Sequence, residues 1–388
     1  MKHLKALACL AIAFSATALV GAQAGEQLLN LPPPPKGGRF VTPQDLVWPE
    51  KPGEADICLW ADDKFAACCI TIDDNCQPDH AWWLKLADEL GIRLTWFVIT
   101  DNVVKNAGRK GTFQGCWEEW QALADAGHSI QSHTTNHRSD PPEKNRTPDT
   151  TLLTEAELSA MYRDSLAVIN ANITNNVACC IAYPSGDAHP DVLAKHAIAA
   201  RGVYGVPSCA NAINYLCTNK GSGDPAYTDI VLEGATDRGP TWLRSKKELK
   251  RGLNIVLYHL VHAGRSDEER AKNAAQAEAE VRHVASQKDR LWVDTFDRVM
   301  KYGQERDSAT LSVLENTPRK IVLEVKDRMD DTFFDFPLTV KVRLPDAWTS
   351  VKSTQDGKPV KTRIVEHADA RFALVPVVPD RGEVVLAP

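Results

Sequence analysis

The chain has 388 residues, 43% of them hydrophobic and 25% charged, which is too long for one ordinary domain and far from the composition of a disordered chain. Its formal charge of -6, without any basic stripe, argues against nucleic acid or anionic lipid as a partner, because both need clustered Lys and Arg.

The first segment has the pattern of a secretory signal. Lys2 and Lys5 precede an apolar run from Ala6 to Val20, and Ala22-Gln23-Ala24 is a small-residue cleavage site. The run is short of the ~20 residues that a membrane span needs, so residues 1–24 are expected to be removed after Ala24 and the product to be secreted or periplasmic. No later segment is long and apolar enough to span a membrane. Removal takes away two lysines and no acid, moving the charge from -6 to -8. Residues 25–60 carry Leu-Pro-Pro-Pro-Pro-Lys-Gly-Gly at 31–38, an extended linker or a strap over a domain surface.

Residues 61–307 alternate short apolar runs with amphipathic helices. The runs are Ala66–Ile72, Leu94–Ile99, His128–Ser132, Val177–Ala182, Gly202–Val206, Leu253–Tyr258 and Leu291–Val293. Thr154 with Glu157, and Ser245 with Glu248, have capping-box spacing. Gly91, Gly127 and Gly202 suit left-handed helix ends. Seven strands separated by helices predict an α/β fold, a parallel sheet closed, or nearly closed, into a barrel. Residues 308–388 lack helical periodicity and predict a C-terminal all-β, sandwich-like domain with strands at Thr310–Leu314, Lys320–Val325, Leu338–Leu344, Val360–Ile364, Phe372–Val378 and Val384–Leu386.

Nine of the ten cysteines lie beyond the signal. Cys68-Cys69 and Cys179-Cys180 fall inside apolar runs and read as small buried hydrophobes. Cys209 and Cys217 flank a loop-like stretch and are candidates for a disulfide.

Four predicted strands end in residues suited to chemistry, and parallel barrel strands present those ends on one face. Ile72-Asp73-Asp74 places two carboxylates at the end of a buried strand, where one can bind a metal and the other act as base, although Asp-Asp also begins ordinary loops. His133-Thr134-Thr135-Asn136-His137 spaces two imidazoles four apart, which on one helical turn would chelate one ion. Tyr183-Pro184-Ser185-Gly186 is a turn whose N–H groups would suit an oxyanion hole, or simply a β-turn. His259 is the first polar side chain after its strand and a natural general acid, with His262 as a rival three residues on.

In this order the four segments resemble the polysaccharide deacetylase family, the NodB-homology domain of carbohydrate esterase family 4. The family's Thr-Phe-Asp-Asp corresponds to Thr71-Ile72-Asp73-Asp74, its His-Ser/Thr-x-x-His to His133–His137, its third motif to Tyr183-Pro184-Ser185-Gly186, and its terminal histidine motif to Leu257-Tyr258-His259. The resemblance covers residues 61–306 and marks 61–307 as the catalytic domain. It implies a distorted seven-stranded (β/α) barrel with, at its mouth, a divalent metal (Zn, with Co or Ni as alternatives) held by Asp74, His133 and His137. Asp73 would then be the general base, an N–H near Ser185 the oxyanion donor, and His259 the acid that protonates the leaving amine or alcohol.

Three departures stand out. Ile72 replaces an aromatic, Ser185 stands where many members carry an aromatic, and Ala182 stands where the family has an arginine. Asp237 is the candidate partner of the base. Trp242, in the loop Gly239-Pro240-Thr241-Trp242, is the candidate to stack on sugar, whereas Trp82, Trp83, Trp117 and Trp120 have spacing suited to core packing. The expected partner is an acetylated extracellular glycan. The alternatives are a metal-dependent hydrolase of a non-sugar amide and a non-catalytic carbohydrate-binding protein.

Overall fold

The computed structural model describes residues 27–34, 47–106 and 108–388, so the signal at 1–24 and positions 35–38 of the proline run lie outside the described residues. After a short strand, β1 (Ala55–Ile57), the chain enters β2 (Ala66–Ile72), buried at all seven positions. Helices and strands then alternate as α1 (His80–Leu90), β3 (Thr95–Val98), α2 (Thr100–Lys105), α3 (Trp117–Asp125), β4 (Ser129–Ser132), α4 (Glu155–Asn172) and β5 (Cys180–Ala182). They continue through α5 (Pro190–Leu193), β6 (Ala199–Gly205), β7 (Thr218–Lys220), α6 (Pro225–Glu233), β8 (Leu253–Tyr258), α7 (Asp267–Ser286), β9 (Leu291–Val293) and α8 (Phe296–Ser308).

These strands form one parallel sheet in the order β7-β6-β5-β4-β3-β2-β8, with β9 paired to the start of β2. The edges approach each other: Gly221 donates to the Ile255 carbonyl (2.7 Å) and Asn254 Nδ2 to that of Ser222 (3.0 Å). The barrel is nearly closed. The seven predicted strands are all present, and β7 adds an eighth that is too short to show in the sequence pattern.

Alternation along β2 divides two cores. Cys68, Ile70 and Ile72 pack with Trp83, Trp96 and Trp120 on the helical side. Ala67 and Cys69 belong with Phe97, Phe296, Met300 and Tyr302 to a core that runs on into the C-terminal strands. That part consists of β10 (Thr310–Thr317), β11 (Lys320–Lys326), β12 (Leu338–Arg343), β13 (Lys352–Gln355), β14 (Lys358–Val360), β15 (Arg363–His367), β16 (Ala370–Val377) and β17 (Val384–Ala387). They form two antiparallel sheets, β1-β12-β16-β15 and β10-β11-β17-β13-β14. β1 therefore completes a sheet more than 280 residues further along the chain, pairing Ala55 with Val342.

Several local expectations change. Val360–Ile364 is not one strand: the chain passes there from β14 in one sheet to β15 in the other. Thr154–Glu157 forms the capping box at the start of α4, but Ser245–Glu248 leads only to a 3₁₀ turn at Lys247–Leu249 without a side-chain cap bond. Gly202 lies inside β6, not at a helix end, and a Cβ there would come within 2.9 Å of Cys217 Sγ and the Thr218 carbonyl oxygen. Cys209 and Cys217 are not joined by a disulfide, and Cys209 Sγ donates to the Glu248 carbonyl (3.0 Å).

The joint between the two parts holds a buried acid. Glu305, in the last turn of α8, is fully buried, and burial followed by the nearby Asp327 pushes its carboxyl up to about 9. A carboxyl raised in the folded state favours folding below its unfolded value and loses that contribution as pH climbs toward its folded value. Glu305→Gln keeps the shape of the neutral acid, so it is expected to melt higher than the parent at pH 8, by on the order of 5 °C, with the difference shrinking toward pH 5. Parallel melting curves across this range would show that Glu305 titrates normally.

Candidate active site

The carboxyl ends of β2, β4 and β8 bring the key side chains together. Immediately after β2, Asp74, Asn75 and Cys76 adopt left-handed backbone at φ 61°, 66° and 43°. Three successive non-glycine residues in this region are costly and persist only where the surroundings hold them. Here the Asp73 N–H donates to the Tyr258 carbonyl (3.0 Å) and the Cys76 N–H to that of Asp74 (2.7 Å). The Asn75 amide accepts from the Ile99 N–H (2.8 Å) and donates to the Gln114 carbonyl (3.0 Å). The turn aims Asp74 across the mouth of the barrel.

His133 follows β4 directly, with its N–H on the Val98 carbonyl (2.8 Å). The segment to His137 is not a helical turn as its spacing suggests. Thr134 and His137 have φ 67° and 59°, and the His137 N–H donates to Thr134 Oγ1 (3.1 Å). The irregular turn still brings the two rings to 4.6 Å between centroids. His133 Nε2 and His137 Nε2 lie 3.5 and 3.4 Å from Asp74 Oδ1. Since a carbonyl can only accept, His133 Nδ1 must carry the proton donated to Ala182 O (2.9 Å), which leaves the Nε2 lone pair facing Asp74. Burial pushes the His133 imidazole below its usual range, favouring the neutral ligand form. Asp74 Oδ1 is itself buried without a hydrogen-bond donor. One carboxylate oxygen and two imidazole nitrogens converging in this way suit a zinc-type divalent ion.

Asp73, 3% exposed, is held by Arg201, whose Nη2 donates to Asp73 Oδ2. Its other oxygen, Oδ1, is buried without a partner, and Oδ2 lies 3.6 Å from His133 Nε2. Arg201 is fully buried on β6, its second nitrogen Nη1 on the Gly202 carbonyl (3.1 Å) and its guanidinium 5.4 Å from the centre of the Phe97 ring. It pairs in register with Ala182 on β5. Arg201 thus stands on the strand next to position 182, where the family's arginine has no match. Asp237 does not hold Asp73: its side chain is 95% exposed and, among the described residues, pairs only with Arg238, in the loop before β8. Such a helix-to-strand loop belongs to the amino end of a parallel barrel, away from the site. Trp242 occupies the same loop, 48% exposed and edge-on to Tyr227 at 6.4 Å. Neither residue joins the cluster. The buried arginine was missed because the predicted strand began at Gly202, yet a charged residue in the run Ala199-Ala200-Arg201 demands a partner.

The turn after β5 narrows to one donor. Tyr183, Gly186 and Asp187 donate their N–H groups to the carbonyls of Arg201, Tyr183 and Pro184, and Pro184 has none. Of this turn's N–H groups, that of Ser185 alone has no backbone carbonyl partner among the described residues, and Ser185 sits at φ 54°. The Tyr183 hydroxyl is used on the Leu216 carbonyl (2.8 Å).

β8 ends at Tyr258, so strand alternation does not separate the two histidines beyond it. His259 Nε2 lies 3.6 Å from Asp74 Oδ2, with its side chain 56% exposed. His262 turns instead to the buried Asp79, Nδ1 to Oδ1 at 2.6 Å, while the other Asp79 oxygen takes the Val261 N–H (2.6 Å). Tyr258, His259, Asn273, Gln276 and Glu280 line a groove beside the cluster.

Residues 62–201 match the family model described as Polysaccharide deacetylase. The chain is 34% identical over 378 residues to a protein named gellan lyase from a Bacillus species, a match that spans 94% of this chain but only 14% of that protein. Among solved structures it is similar to a deacetylase of Streptococcus pyogenes in complex with acetate, at 19% identity over 39% of this chain and 62% of that one, with a TM-score of 0.32. It is also similar to a carbohydrate esterase family 4 pseudoenzyme of Bacillus anthracis, at 14% identity over 61% of this chain and 66% of that one, with a TM-score of 0.35. The match to the polysaccharide deacetylase family lies in residues 62–201, the segment that supplies Asp73, Asp74, His133, His137 and Arg201.

Proposed function

We propose that the protein is a metal-dependent hydrolase that removes acetyl groups from an extracellular acetylated polysaccharide, with residues 61–307 as the catalytic unit. The observation that carries this reading is the convergence of Asp74, His133 and His137 next to an arginine-held Asp73. Zinc fits this donor set best, with cobalt or nickel as alternatives. When bound, such an ion supplies Lewis-acid polarisation of a carbonyl and activation of water at neutral pH.

Asp73 takes the proton of the attacking water, while Arg201 keeps the carboxylate aimed. The Ser185 N–H meets the negative charge that develops on the acetyl oxygen. His259, across Asp74 from the two ligand histidines, protonates the departing sugar nitrogen or oxygen. The polar groove beside His259 receives the glycan. The segment 1–24 delivers the protein outside the cytoplasm.

Acetate release from chitin-type, peptidoglycan and acetylated xylan substrates tests the reading. The match to a gellan lyase supports a second one, in which the chain is part of an enzyme that cleaves the glycan backbone by elimination. Ultraviolet absorbance from a newly formed C=C bond, with no acetate, would favour that alternative.

The acid assignment has its own test. His259→Ala is expected to lower turnover on an acetylated glycan by about 10²-fold, much more than His262→Ala, and to matter less for an activated aryl acetate whose leaving group needs no proton. A larger loss from His262→Ala would transfer the role to the His262–Asp79 pair.

A further inference from the structure

Beside the active site, on the same two loops, lies a second cluster. Asp140 follows the His133–His137 turn by three residues, which limits the Cα separation of His137 and Asp140 to about 11 Å. Asp187 and His189 follow Ser185 in the loop after β5. One ligand atom from each of Asp140, Asp187 and His189 lies within 4.8 Å of the other two. Asp140 is 9% exposed, and the side chains of Asp187 and His189 are 18% and 26% exposed, so the group is sheltered but open to solvent on one side.

The existing contacts shape the cluster without neutralising it. Asp140 Oδ1 accepts from the Leu153 N–H (2.8 Å), and Asp187 Oδ2 accepts from the Asp140 N–H (2.7 Å) and from His189 Nε2 (3.1 Å). Among the described residues no Lys or Arg forms an ion pair with either carboxylate. Two carboxylates this close, one of them buried, repel each other unless a cation or a proton stands between them. Asp140 Oδ2 and Asp187 Oδ1 remain as acceptors, and an imidazole completes a mixed N/O donor set that favours a transition-metal divalent ion over calcium or magnesium.

We propose that Asp140, Asp187 and His189 form a second divalent-cation site, which ties the loop carrying His137 to the loop carrying Ser185. Ligation uses the Nε2 lone pair, so the proton now directed at Asp187 moves to Nδ1 or is released to solvent. Ion binding clamps the two loops. The site is independent of the deacetylase reading, since it concerns ion number and not acetate release.

The full chain, stripped with a chelator and reloaded with Zn²⁺ or Mn²⁺, tests this by elemental analysis and by anomalous scattering from crystals. The expected result is two ions per chain, with one peak among Asp140, Asp187 and His189. His133→Ala is expected to keep that peak and lose the other. Asp140→Asn combined with His189→Gln is expected to keep the Asp74/His133/His137 ion and lose the second. A single ion per chain that disappears entirely in His133→Ala would overturn the proposal. So would a second ion that persists in the Asp140→Asn/His189→Gln protein.

Discussion

Asp73→Asn is expected to lower acetate release by about 10²-fold or more, the usual loss when a general base is removed, while the protein retains its ion. The amide keeps the size of the carboxylate and can still meet Arg201, so the fold should survive. It cannot accept the proton of the attacking water. The atoms proposed as ligands belong to Asp74, His133 and His137, and none of them is touched by the change. Elemental analysis of the purified variant, paired with acetate release, separates the two aspartates. Loss of the ion to the extent seen in Asp74→Ala would mean that Asp73 is a ligand, and undiminished turnover would remove it from the reaction.

The second large effect is expected at Arg201. Its guanidinium is fully buried and is the one Lys or Arg group paired with the Asp73 carboxylate among the described residues, the neighbouring His133 imidazole being in its neutral form. Arg201→Met fills much of the same space with an apolar chain but leaves Asp73 buried and unpaired. Removing one member of a buried ion pair costs about 3–5 kcal/mol, which denaturant unfolding would read as an earlier midpoint with an unchanged slope. The variant carboxylate then faces only His133. Turnover is expected to fall at neutral pH and to recover in part in more alkaline buffer, a pH dependence that a purely structural role for the arginine would not produce. Unfolding at the parent midpoint, together with an unchanged pH profile, would show that the pair does neither job.

Much of this architecture was legible in the chain because the barrel strands are continuous apolar runs with polar ends. Those ends are where Asp73, Asp74, His133 and His259 were found, and they meet across the mouth as the parallel topology requires. Short elements were the harder part. β7 has three residues, with one buried position among Thr218, Asn219 and Lys220, and so no hydrophobic period to read. β1 is bracketed by a proline-rich segment and pairs with a strand far along the chain, a long-range relation that local pattern does not encode. Arg201 was missed for a different reason: the predicted strand began at Gly202, whereas β6 starts at Ala199 and takes in the charged side chain. The backbone at Asp74, Thr134, His137 and Ser185 is also invisible to spacing rules, since left-handed conformations at non-glycine residues follow from tertiary hydrogen bonds.

The most direct test of the central claim is acetate release from an acetylated polysaccharide by protein stripped with a chelator and then reloaded with zinc, measured in parallel on the parent and on His137→Ala. The parent is expected to fall to background on stripping and to regain its activity as zinc is restored. His137→Ala is expected to stay at background throughout. Acetate release that survives complete removal of the ion, or that His137→Ala performs as well as the parent, would contradict the account.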